Sequence, residues 1–256
     1  MVFPELQLAI KPFEYFDYHR TNIGFHGTTV ESANRLVAGE SFRTSDSDDD
    51  WLGKGIYFWE YAPKQAWWWA RSYKKLGEPA VVGSIIWSGN CFDLLDPWNL
   101  KTLREFHGSL VDRWTEENIE IPTNARHHRN LDCAVFNFMY NEAEGVGTPI
   151  DSARGVYVPT AKAKRVWKGS WIYDDAHIQI CVRNPKSILA VWHVRPDGRY
   201  GKQPARKKRR GYGSYGKIVT HLQSMSSSEF RQALLSAGII TKAGNLRAKY
   251  KRMAKS

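Results

Sequence analysis

Tyr57 and Trp68 stand eleven positions apart, the first inside Gly53-Lys54-Gly55-Ile56-Tyr57-Phe58 and the second inside Trp67-Trp68-Trp69. Two aromatic faces suit a slot for a flat cationic ring, because aromatic quadrupoles favour both stacked rings and positive charge. Such stacking improves binding more than rate, since positive charge leaves the ring as its bond breaks. Acceleration needs contacts that strengthen in the transition state. Thirty-one positions before Tyr57 comes His26-Gly27-Thr28, which reads as a turn. Each motif also has a plainer reading. His-Gly-Thr alone is an ordinary turn with a helix cap, Gly-x-Gly-Ile-Tyr-Phe a glycine-tolerant strand entry, and the tryptophan run helix packing. Their order and spacing favour a joint site.

In that order the motifs resemble the NAD-binding half of the ADP-ribosyltransferases, in the branch of the diphtheria toxin catalytic domain and the poly(ADP-ribose) polymerases. The likeness covers roughly residues 20–195 and is to a bacterial-type member with a single catalytic domain. It implies that His26 binds the adenosine ribose and that the backbone of Gly27 grips the nicotinamide carboxamide. Thr28 takes the place of a small hydroxyl residue, Arg43 in Ser41-Phe42-Arg43-Thr44 that of a cation near the adenosine, and Tyr57 and Trp68 hold the nicotinamide. NAD is then a co-substrate, and no metal is called for. The segment His177–Arg183, followed by Asn184-Pro185-Lys186-Ser187-Ile188, resembles the third motif, whose glutamate contacts the nicotinamide ribose. Here the register puts Gln179 in that place, completing a catalytic set of His26, Tyr57 and Gln179. Alone, Gln179 is a polar residue in a strand.

Glutamine changes the chemistry expected. Glycosidic cleavage leaves an oxocarbenium-like sugar, and hydrogen bonds at its 2-hydroxyl strengthen as charge develops. A carboxylate adds its charge to that contact, whereas an amide offers a dipole and a hydrogen bond, about half as strong. The expectation is a mono-ADP-ribosyltransferase, weaker or more dependent on its acceptor, that does not extend chains.

The 256 residues suit one domain near 200 residues plus an extension. Eleven tryptophans imply an aromatic core and cleft. Cys91, Cys133 and Cys181 are odd in number and lack CxxC spacing, which disfavours disulfides and zinc and fits a reducing cytosol. Met1-Val2-Phe3-Pro4-Glu5 lacks a signal-peptide layout and no apolar run approaches a membrane span, so a cytoplasmic location is expected.

Charge divides the chain. Residues 197–256 carry fifteen Lys/Arg against two acidic residues, whereas the rest sums to −2. The boundary falls near Pro196-Asp197-Gly198: a catalytic domain at 1–196, a basic linker at 197–219 and a short helical basic appendix at 220–256. The linker joins Arg206, Lys207, Lys208, Arg209 and Arg210 to Gly211-Tyr212-Gly213-Ser214-Tyr215-Gly216. Such composition buries no apolar surface and suits phosphate contact with base stacking, so RNA or DNA is the expected partner. A solvated tail, or docking onto the catalytic domain, is the alternative. Beyond it, Ser226 and Glu229 form a capping box, Phe230, Ala233 and Leu234 follow helical spacing, and Gly238 stops the helix. A second short helix is read at Leu246–Arg252.

The catalytic part reads as α+β. Strands are expected at Gly55–Trp59, Ala80–Trp87, Ala153–Val158 and His177–Val182, and helices at Thr29–Ala38, Pro63–Lys75 and Leu100–Asn118. Their order argues against a Rossmann sheet, and no GxGxxG follows a strand. The resemblance implies split antiparallel sheets around an NAD cleft. It also makes Arg165–Asp175 an acceptor-recognition loop, in which Trp167, Trp171 and Tyr173 either stack on a base or pack on the core. Adjacent His127 and His128 point apart and lack further ligands. Asp46-Ser47-Asp48-Asp49-Asp50 lacks the glycine and glutamate of a calcium loop and reads as solvated.

The leading function is ADP-ribose transfer from NAD to nucleic acid. Small proteins of this kind resemble toxins of bacterial toxin–antitoxin or antiphage systems, which implies an antitoxin and a chaperone as partners. The alternatives are a protein-modifying transferase, or a module that only binds NAD, ADP-ribose or nucleic acid.

Overall fold

Thr21–Thr29 (β1) pairs along its whole length with Pro79–Trp87 (β3), from Thr21 opposite Trp87 to Thr29 opposite Pro79. This computed structural model describes residues 20–125, 128–158, 165–194, 221, 224–237, 239–243 and 245. The remaining strands are Ile56–Glu60 (β2), Cys91–Asp93 (β4), Ser152–Tyr157 (β5), His177–Val182 (β6) and Ile188–His193 (β7). Among the described residues they form one sheet in the order β4-β5-β6-β2-β1-β3-β7. Every neighbouring pair is antiparallel except β4–β5. The protein is mixed α/β, compatible with the α+β class. The two sheets expected are here one sheet with a weak middle: β1 and β2 match only at Gly24↔Glu60 and Phe25↔Trp59.

His26, Gly27 and Thr28 lie within β1 and not in a turn, because pairing with β3 runs on to Thr29. The turn signal belongs to the next residue. Thr29 is the N-cap of Val30–Val37 (α1), its hydroxyl accepting from Ser32 N at 3.1 Å. The helix buries Ala33 and Leu36 against Val82 and ends before Gly39, whose φ of 101° is the left-handed value glycine adopts freely.

Pro63–Trp68 (α2) opens with proline at its first turn and passes into one π turn, Trp69–Tyr73. It lies so close on β1 that a Cβ on Gly27 would collide with the Ala66 carbonyl oxygen. Pro97–Glu116 (α3) begins three residues earlier than expected, with Asp96 accepting from Trp98 N at 2.9 Å and proline at the first position. Asn130–Gly145 (α4) is an element the sequence pattern did not lead us to expect. It buries Cys133, Val135, Phe136, Met139 and Tyr140.

The two sheet faces pack differently. On one, Ile56, Phe58, Ile86, Ile180 and Val182 form a core closed by Phe42 and Ile188, with α1 beside it. On the other, Ala153 and Cys181 pack with Leu52, Phe92, Phe136, Met139 and Tyr140, while Trp59 and Val81 pack under Ala66 of α2. A buried charge network ties the sheet together. Arg154 on β5 donates to Glu60 on β2 at 2.6 Å and to Asp93 on β4 at 3.0 Å, and Arg20 reaches Asp93 at 2.5 Å.

The chain divides into two units, Met1–Lys202 and Gln203–Ser256. In the second, Ser227–Ser236 (α5) carries the capping box, with Ser226 Oγ accepting from Glu229 N and Glu229 Oε2 accepting from Ser226 N. The linker 197–219 with Arg206–Arg210, Gly238 and the helix read at Leu246–Arg252 lie outside the described residues, as does His127.

Arg154→Met leaves Glu60 buried without its cation and Asp93 with Arg20 as its remaining partner in this network. The expected cost is about 3–5 kcal/mol in urea unfolding, partly recovered when Glu60→Gln is added. A loss below about 1 kcal/mol would mean that the network contributes little.

Candidate functional site

Where the β1–β2 ladder stops, the sheet opens. Ile23 O accepts from Tyr61 N, so odd residues of β1 direct their backbone groups toward β2. By strand alternation the N–H and C=O of Gly27 face the same side, beyond the last matched pair. His26 spans the opening instead. Its Nδ1 lies 2.8 Å from Tyr57 O, and since a carbonyl only accepts, Nδ1 carries the proton. Burial holds the imidazole below its ordinary pKa, against the opposing effect of that hydrogen bond, so the ring is neutral and Nε2 is left as an acceptor. Phe42 and Phe58 fix the ring, with centroids at 5.3 and 5.6 Å.

The glycines around Tyr57 have a mechanical reason. Gly53, at φ 75°, folds the loop back so that its carbonyl accepts from the Tyr57 hydroxyl at 2.8 Å, while Leu52 N donates to that hydroxyl at 3.0 Å. A Cβ on Gly55 would strike Cys181 Sγ. Asn137, Tyr140 and Arg183 bind the same loop at Lys54 N, Leu52 O and Lys54 O. Burial raises the pKa of Tyr57 well above the usual range. Tyr57 is therefore a fixed ring, and its hydroxyl is no acid or base near neutrality.

The anchored loop presents Trp51 to β6. Register pairs Trp59 with Gln179 and Gln179 with Gly155, and likewise Tyr57 with Cys181 and Tyr157 with His177, on the same sheet face. A Cβ on Gly155 would meet the Trp51 ring at 2.8 Å, so glycine makes the space in which that indole lies. Trp51 Nε1 donates to Gln179 Oε1 at 2.6 Å, and Gln179 Nε2 is 3.1 Å from His177 Nε2. Tyr157 stands 5.6 Å from the Trp51 ring and 5.3 Å from His177. The buried Trp59 indole N–H has no partner among the described residues.

The structure thus brings Tyr57 and Gln179 onto one face of adjacent strands, with Gly27 across the opening and His26 bonded to the Tyr57 backbone. Thr28 follows in β1 and is half-buried; Arg43 is exposed on the loop after Phe42. Trp68 is not in ring contact with Tyr57. Ala66 and Ala70 face Gly27, which turns Trp68 to the far side of the helix, where it is 51% exposed and stacks on Tyr73 at 6.3 Å. In the Arg165–Asp175 loop, Trp167 and Trp171 are exposed at 63% and 88%, which leaves core packing out for both. The Arg165 guanidinium lies over Trp171 and Tyr173 at 5.9 and 5.5 Å. The acidic loop is less solvated than its sequence suggests: Asp49 accepts from Arg129 N at 2.6 Å, at the start of α4, and lies 3.5 Å from His128. Among the described residues no group of three or more His, Cys, Asp or Glu is placed to hold a metal.

Trp51, Tyr157, Trp59 and His177 do not stand out as site residues in the sequence. The period of two that aligns His177 with Gln179, and Gly155 with Tyr157, is a signal that could have found two of them; the register that sets Trp51 over Gly155 leaves none.

No family model matches the chain, and no solved structure matches it. It is similar to an uncharacterized protein of Methanocaldococcus jannaschii, with 26% identity over 188 residues, covering 66% of this chain and 86% of that protein.

His26 and His177 both have pKa values lowered by burial from 6.5. Unfolded imidazoles then take up protons that the folded ones refuse, so stability falls as pH drops below that value. The urea midpoint is expected to decline between about pH 7 and pH 5, and to decline less in His26→Gln, which keeps an N–H donor but does not titrate. Equal declines would remove His26 from this balance.

Proposed function

We propose that the protein transfers a single ADP-ribose from NAD to an acceptor. The observation that carries this reading is the opening between β1 and β2. There Gly27 lies beyond the last ladder pair and His26 Nδ1 binds the Tyr57 carbonyl, while the fixed ring of Tyr57 and the Gln179 amide stand on one face of the neighbouring strands. A carboxamide needs one acceptor and one donor, which a strand residue without a ladder partner supplies. A ribose hydroxyl needs an acceptor, which His26 Nε2 supplies. In the reaction the bond from nicotinamide to the ribose breaks with its electron pair on the nicotinamide nitrogen. The acceptor's lone pair forms the new bond to that carbon, and the acceptor loses a proton. Gln179 would hydrogen-bond the ribose as charge develops.

Nucleic acid is the acceptor favoured, because residues 197–256 hold the excess positive charge and the aromatic loop at 165–175 is exposed. On this reading the protein acts in the cytoplasm as a toxin, with an antitoxin and a chaperone as partners. Among the described residues, no helix is long and apolar enough to cross a membrane. Incubation with labelled NAD and RNA, DNA or lysate, followed by nuclease or protease digestion, tests the transfer. Label released by protease alone would indicate a protein acceptor; NAD binding without transfer would indicate a binding module.

Tyr57→Ala is expected to weaken NAD binding by about 1 kcal/mol or more with the fold intact, measured by calorimetry beside Trp68→Ala. Unchanged affinity in both would remove the aromatic slot. Gln179→Ala is expected to lower kcat more than affinity, while Gln179→Glu keeps turnover. Full turnover in Gln179→Ala would show that another residue serves the ribose.

A chain truncated after residue 196 is expected to bind NAD as the full chain does. Its affinity for RNA and DNA should be much reduced, with a flatter salt dependence, because fewer counterions are released. Equal salt slopes for the two chains would dismiss the tail as an acceptor tether.

A further inference from the structure

The two hydrogen bonds of the Gln179 amide constrain each other. An indole N–H only donates, so Oε1 must face Trp51 and the NH2 group must face His177 Nε2. That nitrogen must then be an unprotonated acceptor. The other ring nitrogen, Nδ1, lies 2.8 Å from Asp175 O, which only accepts, so it carries the proton. One state satisfies all three contacts: a neutral His177 protonated at Nδ1. A proton on Nε2 would set donor against donor. Turning the amide over relieves that clash but points NH2 at the Trp51 N–H. No orientation of the amide suits both an imidazolium and the indole.

We propose that His177 is a positioning residue: neutral His177 and Trp51 together hold the Gln179 amide in one orientation, and protonation of His177 releases it. The held amide keeps one N–H and one lone pair outside these two contacts, each in a fixed direction, on the sheet face that Tyr57 shares. The groups around the imidazole are few. β5 contributes the Tyr157 phenol, β2 the uncharged Trp59 indole, and the preceding loop Asp175. Burial, the larger influence, keeps the ring neutral near pH 7, while the Asp175 carbonyl and carboxylate pull the other way. The amide is accordingly held at neutral pH and freed in acid.

The consequence for catalysis rests on the transferase reading; the coupling itself does not. Two-dimensional NMR of the full chain follows the His177 ring nitrogens, the Trp51 indole N–H and the Gln179 side-chain amide between about pH 5 and pH 8. The indole and amide signals are expected to move with the His177 midpoint, and to stay still in His177→Gln, which offers a neutral acceptor at every pH. In Gln179→Glu the carboxylate faces the Nε2 lone pair, so the His177 midpoint is expected to rise by about one pH unit or more. For NAD turnover, His177→Ala is expected to lower kcat on the order of tenfold. His177→Gln should recover part of that loss and remove the acid limb of the pH profile. Indole and amide signals indifferent to His177 protonation would overturn the proposal, as would an unmoved midpoint in Gln179→Glu. Coupled signals in a protein that never turns over NAD would sink the transferase reading and leave this one standing.

Discussion

A single imidazole-to-carbonyl hydrogen bond stands where the middle of the sheet lacks a ladder. β1 and β2 must separate after Phe25 and Trp59, because α2 presses on Gly27 and β1 continues along β3 alone. An opened sheet leaves backbone groups to satisfy, and buried ones are costly when unpaired. His26 satisfies Tyr57 O at 2.8 Å and holds the two strands at a fixed separation. The same contact sets the tautomer that leaves Nε2 as an acceptor. The strand spacing and the tautomer at the opening thus depend on one side chain.

From that point rigidity is handed along. Tyr57 is held by its backbone to His26 and by its hydroxyl to the 52–53 loop. The loop is held in turn by Asn137 and Tyr140 of α4 and by Arg183, and it delivers Trp51 to Gln179. Each link is a hydrogen bond made by a half-buried or buried group, where loss of one partner leaves the other unsatisfied. Elsewhere in the sheet, Arg154 fastens β2, β4 and β5 through buried carboxylates. Helix α4 matters less for its own exposed surface than as the wall against which the loop is fixed.

Much of this is legible in the residues alone. The four strands expected are present within a residue or two of their ends, and α1 and α2 begin where Thr29 and Pro63 signal. Gln179 lies in β6, with its register to β2 set by the strand read at His177–Val182. What escapes a reading of the sequence has physical causes. α4 is hidden although Cys133, Phe136, Met139 and Tyr140 recur at helical spacing, because no capping side chain announces it: Arg129 stands at the N-cap and makes no side-chain capping bond there. His26-Gly27-Thr28 looks like a turn because glycine signals turns; its real need is close approach of the Ala66 carbonyl, which depends on distant packing. Spacing pairs Trp68 with Tyr57, but helix rotation is fixed by Ala66 and Ala70, the small residues that allow the helix onto the strand. Trp51 is invisible because its position over Gly155 joins segments a hundred residues apart.

The surroundings of residue 179 bear on whether glutamine there is a defect. An ionised carboxylate only accepts, and would be met by a donor at Trp51 but by a lone pair at His177. The amide meets a donor with its oxygen and an acceptor with its nitrogen. Trp51 comes from a distant loop and His177 from the strand of Gln179 itself, and both contacts suit an amide. A half-buried carboxylate in this aromatic pocket would also bear a desolvation cost that the neutral amide avoids. Residue 179 therefore sits in a site whose neighbours are complementary to glutamine. On the transferase reading proposed above, what it lacks in charge it would gain in fixed orientation, since a dipole stabilises developing charge only when its direction is set beforehand.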